Sequence, residues 1–130
     1  MAITGNIIAL DFDGTVVTHE YPLIGLDAGA VPVLKELINN GNRLILYTMR
    51  SGNRLDAAKQ WFAERGIPLF ATNANPEQKE WTESPKIYAD LYIDDGNLGC
   101  PLRMIDGVIR PVVDWVKVRQ QLVKDGYLDE

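Results

Sequence analysis

The stretch "IIALDFDGT", Ile7–Thr15, decides the fold. Four apolar residues run directly into two aspartates with one residue between them, then a glycine and a threonine. An apolar run without polar alternation reads as a short strand buried on both faces, as in a covered parallel sheet. Such a strand fixes its own backbone. The polar side chains at its end therefore project into one crevice.

Working outward, "VPVLKELINN" (Val31–Asn40) has Val33, Leu34, Leu37 and Ile38 at helical spacing, with Pro32 in the first turn and Gly41 as a stop. "RLILY" (Arg43–Tyr47) is a second buried strand. Asn53–Arg65 is a second helix with Leu55, Ala58, Phe62 and Ala63 on one face and Gly66 closing it. "IPLFAT" (Ile67–Thr72) reads as a third strand, and "NPEQKEW" as a brief helical turn opened by Asn75 and Pro76. "LYI" (Leu91–Ile93) is a fourth buried strand ending at Asp94-Asp95. In "RMIDGVIR", Asp106-Gly107 between apolar pairs is a hairpin signal, and Pro111–Lys124 reads as the last helix. Strands alternating with helices imply βαβ units, hence an α/β fold: a Rossmann-like three-layer α/β/α sandwich with a mainly parallel sheet and helices on both faces. In such sheets ligands bind beyond the carboxyl ends of the strands. Asp11, Thr48, Asp94 and Asp95 all follow predicted strands at that end.

The 130 residues suit one domain, expected over 1–130, and are enough to bury a core. At 46% apolar and 24% charged, the composition is that of an ordinary soluble globular protein. A net charge of −5 argues against an extended nucleic-acid surface. No apolar stretch reaches membrane-span length, and no basic stretch leads into a long apolar one, so a cytoplasmic protein is expected. The single cysteine, Cys100, excludes an internal disulfide or a cysteine cluster for zinc, and reads as a small apolar packer.

Asp11 and Asp13, two residues apart at a strand end, point to one side, and Asp94 and Asp95 arrive from a neighbouring strand. Two like charges ~4 Å apart cost roughly 4 kcal/mol at an effective dielectric near 20. Such a cluster needs a cation or must hold protons. An all-oxygen donor set suits a hard cation, and Mg²⁺ is the usual choice where a few carboxylates share it with a phosphate. Gly14 lets the backbone approach a ligand, so the amides after Asp11, those of Phe12 and Gly14, can point at an anion. Thr48 adds a hydroxyl and Lys86 a positive charge. A phosphoryl group is the natural occupant. A carboxylate aimed at phosphorus is a nucleophile, and a second carboxylic acid two residues on can protonate the leaving oxygen.

These residues resemble the haloacid dehalogenase superfamily. "LDFDGT" looks like its first motif, Asp-x-Asp-Gly-Thr, and "LILYT" like its second, an apolar strand ending in Thr or Ser. Lys86 in "SPKIYADLYIDD" resembles the third, and Asp94-Asp95 the acidic fourth. The four occur in order from Ile7 to Asp95. The resemblance implies a Mg²⁺-dependent phosphomonoester hydrolase that works through an aspartyl-phosphate. Asp11 is then the nucleophile, and Asp13 the acid that protonates the leaving alcohol and later activates water. Thr48 and Lys86, with Lys79 as the fallback, hold phosphoryl oxygens. Asp11, the Asp13 carbonyl and Asp94 bind the metal, and Asp95 supports it. Arg50, on the loop after Thr48, is a candidate for a second anionic group of the substrate, and His19 for substrate contact.

The spacing between motifs leaves no room for the inserted cap domain of many members. Capless members act on bulky substrates or borrow a lid by oligomerising. The site is then open unless the flap "VVTHEYPLIG" (16–25) or a second subunit covers it. The expected partner is a small-molecule phosphate ester or a phosphorylated polymer end. Two rivals come from other classes. A receiver-type signalling domain needs its phospho-accepting aspartate at the end of the third strand, where this chain has "LFATN". The other rival is a catalytically idle relative used as a binding module.

Overall fold

The computed structural model describes residues 5–130, so residues 1–4 of the expected domain lie outside the described residues. Four parallel strands, β1 (Ile7–Leu10), β2 (Arg43–Leu46), β3 (Ala71–Thr72) and β4 (Leu91–Ile93), form a sheet in the order β3-β2-β1-β4. Helix α1 (Ala30–Asn39) connects β1 to β2, α2 (Gly52–Glu64) connects β2 to β3, and a 3₁₀ helix (Pro76–Glu80) lies between β3 and β4. A small antiparallel pair, β5 (Leu102–Arg103) and β6 (Val112–Val113), precedes α3 (Trp115–Lys124). This is a small Rossmann-like α/β fold with a mainly parallel sheet. No helix among the described residues is long and apolar enough to cross a membrane.

All four residues of β1 are buried, as an interior parallel strand requires. Its side chains alternate between two cores. Ile8 and Leu10 join the larger one with Leu34 and Leu37 of α1, Trp61 and Phe62 of α2, and Trp115 and Val118 of α3. Ile7 and Ala9 join the smaller one with Ile45, Ile87 and Ala89. Each buried Val, Leu, Ile or Phe among them contributes about 1.5–3 kcal/mol by leaving water. All three α-helices therefore pack on one face, where the sequence pattern led us to expect helices on both. The opposite layer is thin. It is the segment before β4, braced by Gln78, whose Nε2 donates to the Ser84 and Lys86 carbonyls at 3.1 and 2.9 Å and whose Oε1 accepts from Tyr88 N–H at 2.8 Å. The stretch from Asn73 to Lys86 is polar and interrupted by Pro76 and Pro85, so it offers no apolar helical face.

Three elements differ by more than a residue from those read in the sequence, and α1, α2 and β2 by single residues at their ends. The third strand pairs only at Ala71–Thr72, because Pro68 has no N–H for a ladder and the run lies on the sheet edge. The Asp106-Gly107 turn exists, but pairing begins outside it, with Leu102 opposite Val113 and Arg103 opposite Val112. That hairpin takes Val112 and Val113, so the last helix starts at Trp115 rather than Pro111. Asp114 caps it, accepting from Lys117 N–H at 3.1 Å.

Candidate active site

Register brings the site together. Leu10 lies opposite Leu46 on one side and Ile93 on the other, so Asp11, Tyr47 and Asp94 leave adjacent strands at one level. Asp11 N–H donates to the Ile93 carbonyl at 3.0 Å. One carboxylate oxygen each from Asp11, Asp94 and Asp95 lies within 4.8 Å of the others. These are three of the four expected metal-binding residues. The fourth, Asp13, enters that expectation through its backbone carbonyl, and its carboxylate is held by Arg50.

Thr15 joins the candidate site, a place that the sequence alone did not assign to it. The turn after Asp11 is tight, with the N–H groups of Thr15, Val16 and Val17 converging on the Phe12 carbonyl at 3.2, 2.9 and 3.2 Å. It returns the Thr15 hydroxyl to Asp11, where it donates to Oδ2 at 2.8 Å, with Asp95 Oδ1 3.3 Å away as the alternative acceptor. The same oxygen accepts from Asp95 N–H at 3.0 Å. The signal in the sequence was its place as the closing threonine of the Asp-x-Asp-Gly-Thr pattern.

Burial pushes the Asp11 carboxyl up to about 7, and the charge of Asp94 adds to that, against the Thr15 hydrogen bond and the Phe12 amide, which lower it. Asp94 is also raised, first by burial and then by Asp95. The folded value of Asp11 thus lies above its unfolded value of 3.8. The folded state keeps a proton that the unfolded chain has lost, so stability falls as pH rises between the two values. Glu36, lowered mainly by its hydrogen bond from Arg119, acts with the opposite sign near and below 4.5. In chelator, the melting temperature should therefore decline from about pH 5 to about pH 7 and level off above. Saturating Mg²⁺ should remove the decline. Melts across this range in both conditions check it, and a melting temperature that climbs with pH in chelator would contradict the assignment.

Gly14 does not serve the role expected of it. Its N–H donates to the Val17 carbonyl at 2.7 Å, so it is not available to an anion. Its φ of 81° and its lack of a side chain are what the site uses. A Cβ there would overlap the His19 imidazole and lie 2.7 Å from Asp95 Oδ2. Gly14→Ala should cost about 1–3 kcal/mol through backbone strain alone. It should also displace His19. A thermal melt is the test, and a parent-like melting temperature would contradict both the backbone strain and the close packing of the ring. The Phe12 amide is likewise directed at the Asp11 carboxylate, and its ring is core, 5.8 Å from Trp61 and 5.7 Å from Phe62.

His19 comes from the 16–25 segment and places Nε2 3.1 Å from Asp95 Oδ2, so it meets the acidic cluster. Val16, Val17 and Thr18 are buried and form the base of that segment rather than a flap. Thr18 N–H donates to the Leu26 carbonyl at 2.9 Å, and Leu26 N–H returns to Thr18 Oγ1 at 3.0 Å. Only the tip is open, with Tyr21 56% and Leu23 71% exposed.

Arg50 corrects a second expectation. It is 3% exposed and is not free for a substrate anion. Its Nε and Nη2 grip the two Asp13 oxygens at 2.8 and 2.7 Å. Nη2 also donates to the Leu23 carbonyl at 2.7 Å, and Nη1 to the Pro22 and Arg54 carbonyls at 3.4 and 3.3 Å. A guanidinium has five N–H donors, and all are engaged.

Thr48 stands beyond the end of β2. Its N–H donates to Asn73 Oδ1 at 2.8 Å and its Oγ1 accepts from Arg50 N–H at 3.2 Å, which leaves the hydroxyl proton for another acceptor. Asn73 holds this loop with a φ of 51°, rare outside glycine. Lys86 is exposed and lines a cavity of about 720 Å³ together with Tyr47, Asp94, Leu98 and Cys100. Lys79 lines a different cavity, with Asn73 and Ser84. Lys86 thus shares a cavity with Asp94, and Lys79 does not.

Fold and site define a small α/β domain carrying an acidic cluster at the carboxyl end of parallel strands. No family model matches the chain, and no curated protein matches it. A solved structure of a conserved protein from Bacteroides thetaiotaomicron is 37% identical, with a TM-score of 0.74, over 94% of this chain and 93% of that one. The chain belongs to the same family as that conserved protein.

Proposed function

We propose that this protein is a Mg²⁺-dependent phosphomonoester hydrolase acting through an aspartyl-phosphate on Asp11. The observation that carries the reading is the trio of carboxylate oxygens of Asp11, Asp94 and Asp95 within 4.8 Å at the carboxyl end of a parallel sheet. Burial and mutual repulsion raise Asp11 and Asp94. A hard cation relieves that repulsion, and an all-carboxylate donor set fits one. Asp11, Asp94 and Asp95, with the Asp13 carbonyl, would hold Mg²⁺, which when bound offsets the negative charge of the carboxylates and of the phosphoryl oxygens.

In the first step an Asp11 oxygen forms a bond to phosphorus while the bond to the leaving oxygen breaks, and Asp13, turned away from Arg50 and carrying a proton taken from solvent, gives that oxygen its proton. In the second, water attacks phosphorus and gives a proton to Asp13, which returns Asp11 and releases phosphate. Thr48 and Lys86 hold the phosphoryl oxygens. The substrate is a small-molecule phosphate ester or a phosphorylated polymer end, and the cytoplasm is the expected compartment. The receiver reading has less support, because β3 is followed by Asn73, which cannot take the phospho-accepting role of an aspartate. Turnover of p-nitrophenyl phosphate, then of a panel of phosphorylated metabolites, with Mg²⁺ and with chelator, is the test. Absence of turnover throughout, or full turnover in excess chelator, would overturn the proposal.

A further inference from the structure

We propose that Arg50 is a positioning residue that joins Asp13 to the tip of the 16–25 segment, so that contacts made on Tyr21–Leu23 reach the acid–base carboxylate through one guanidinium. The kinetic part of this rests on the phosphatase reading, whereas the structural part does not. Both oxygens of Asp13 are taken by Arg50. The remaining N–H groups go to the backbone carbonyls of Pro22 and Leu23 at the tip and of Arg54 in the first turn of α2. The guanidinium carbon also sits 5.2 Å from the centres of both the Phe12 and Tyr21 rings. Phe12 is anchored in the main core, and Tyr21 is at the exposed tip.

Two physical points make this a coupling rather than a neighbourhood. The arginine side chain is 1% exposed and that of Asp13 19%, so neither partner can exchange the other for bulk water at low cost. A planar guanidinium cannot swing toward Asp13's new position while keeping carbonyls on its other edge. If Asp13 turns toward a reacting oxygen, the Pro22 and Leu23 contacts must change with it. Conversely, a leaving group pressing on Tyr21 or Leu23 acts on Asp13. A free substrate-binding arginine would show none of this.

Amide hydrogen exchange of the protein alone, read by mass spectrometry over residues 18–26, tests the structural half. Arg50→Lys keeps the charge but loses the fork, and should speed exchange there about tenfold or more while leaving the β1 and β2 amides unchanged. Asp13→Asn, which leaves Arg50 in place, should speed exchange at the tip by a larger factor than it speeds the β1 and β2 amides, and it decides the matter if Arg50→Lys does not fold. Parent-like exchange of the tip in the folded variants would overturn the linkage.

Kinetics test the other half. Arg50→Lys should lower kcat for an alkyl phosphate by roughly 10² with little change in KM, yet spare the first step with an aryl phosphate, whose leaving group needs no proton. The double variant Asp13→Asn/Arg50→Lys should be no slower than Asp13→Asn, because Arg50 acts through Asp13. Equal losses on both substrates, or additive losses in the double variant, would refute the positioning role. If the parent hydrolyses no phosphate ester, the phosphatase reading fails, and hydrogen exchange alone decides whether Arg50 links Asp13 to the tip.

Discussion

Asp11→Asn should abolish turnover, by at least about 10⁴-fold, the order seen when a nucleophile that acts as part of a unit is removed. The amide keeps the shape and can still accept the Thr15 hydroxyl at Oδ1, but it cannot attack phosphorus. Stability should move the other way. Asp11 is buried beside two other carboxylates, and burial raises it to about 7. A neutral amide removes the repulsion, so the chelated variant should melt at or above the parent near pH 8. Added Mg²⁺ should then stabilise the variant less than the parent, because one donor is missing. The measurements are single-turnover kinetics, circular dichroism and melts with and without Mg²⁺. Activity within tenfold of the parent, with an unchanged fold, would remove Asp11 from the nucleophile role.

Asp13→Asn should slow turnover of alkyl phosphates by roughly 10²–10⁴, the usual range for a lost general acid–base. Here the expectation for stability is opposite to that at Asp11. Asp13 is the carboxylate partner of the buried Arg50, and replacing it leaves a desolvated guanidinium without its counter-charge. Breaking such a pair costs about 3–5 kcal/mol. The two aspartates of one short stretch therefore separate cleanly: one substitution stops chemistry and leaves the fold as stable or more so, the other slows chemistry and loosens the fold. The leaving group gives the sharper criterion. Aryl phosphates should keep most of their first-step rate in Asp13→Asn, and an equal loss for aryl and alkyl esters would mean that Asp13 gives no proton to the leaving oxygen.

The same two residues show how far a sequence carries the argument. An apolar quartet ending in acid was enough to place Asp11 at the carboxyl end of a buried strand, and the later apolar runs at Arg43 and Leu91 placed Thr48 and Asp94 at the same end. Strand character, helix faces and stops are local properties of consecutive residues, so periodicity reports them directly. The α/β class follows from their alternation. Where local signals competed, the reading slipped. Pro68 shortened β3, and Val112-Val113 lay inside what looked like the start of a helix because two residues suffice for a hairpin rung but not for a visible period.

What Asp13 faces was not a local property. Nothing in "DFDGT" distinguishes a carboxylate turned to the metal cluster from one held by an arginine 37 residues away. The same holds for Thr15 meeting Asp95, 80 residues on, and for His19 reaching across Gly14 to that residue. These pairings depend on register between strands, on the direction of side chains leaving a turn, and on which donors remain once the backbone is satisfied. The sequence by itself determined the kinds of element, their order and the end of the sheet at which the acids collect, because hydrophobic burial acts on patterns of neighbours. Only the tertiary structure decided that Asp11, Asp94 and Asp95 share a cluster while Asp13 is bound to Arg50, because a polar side chain takes the partner that lies within hydrogen-bond reach in space, whatever its distance along the chain.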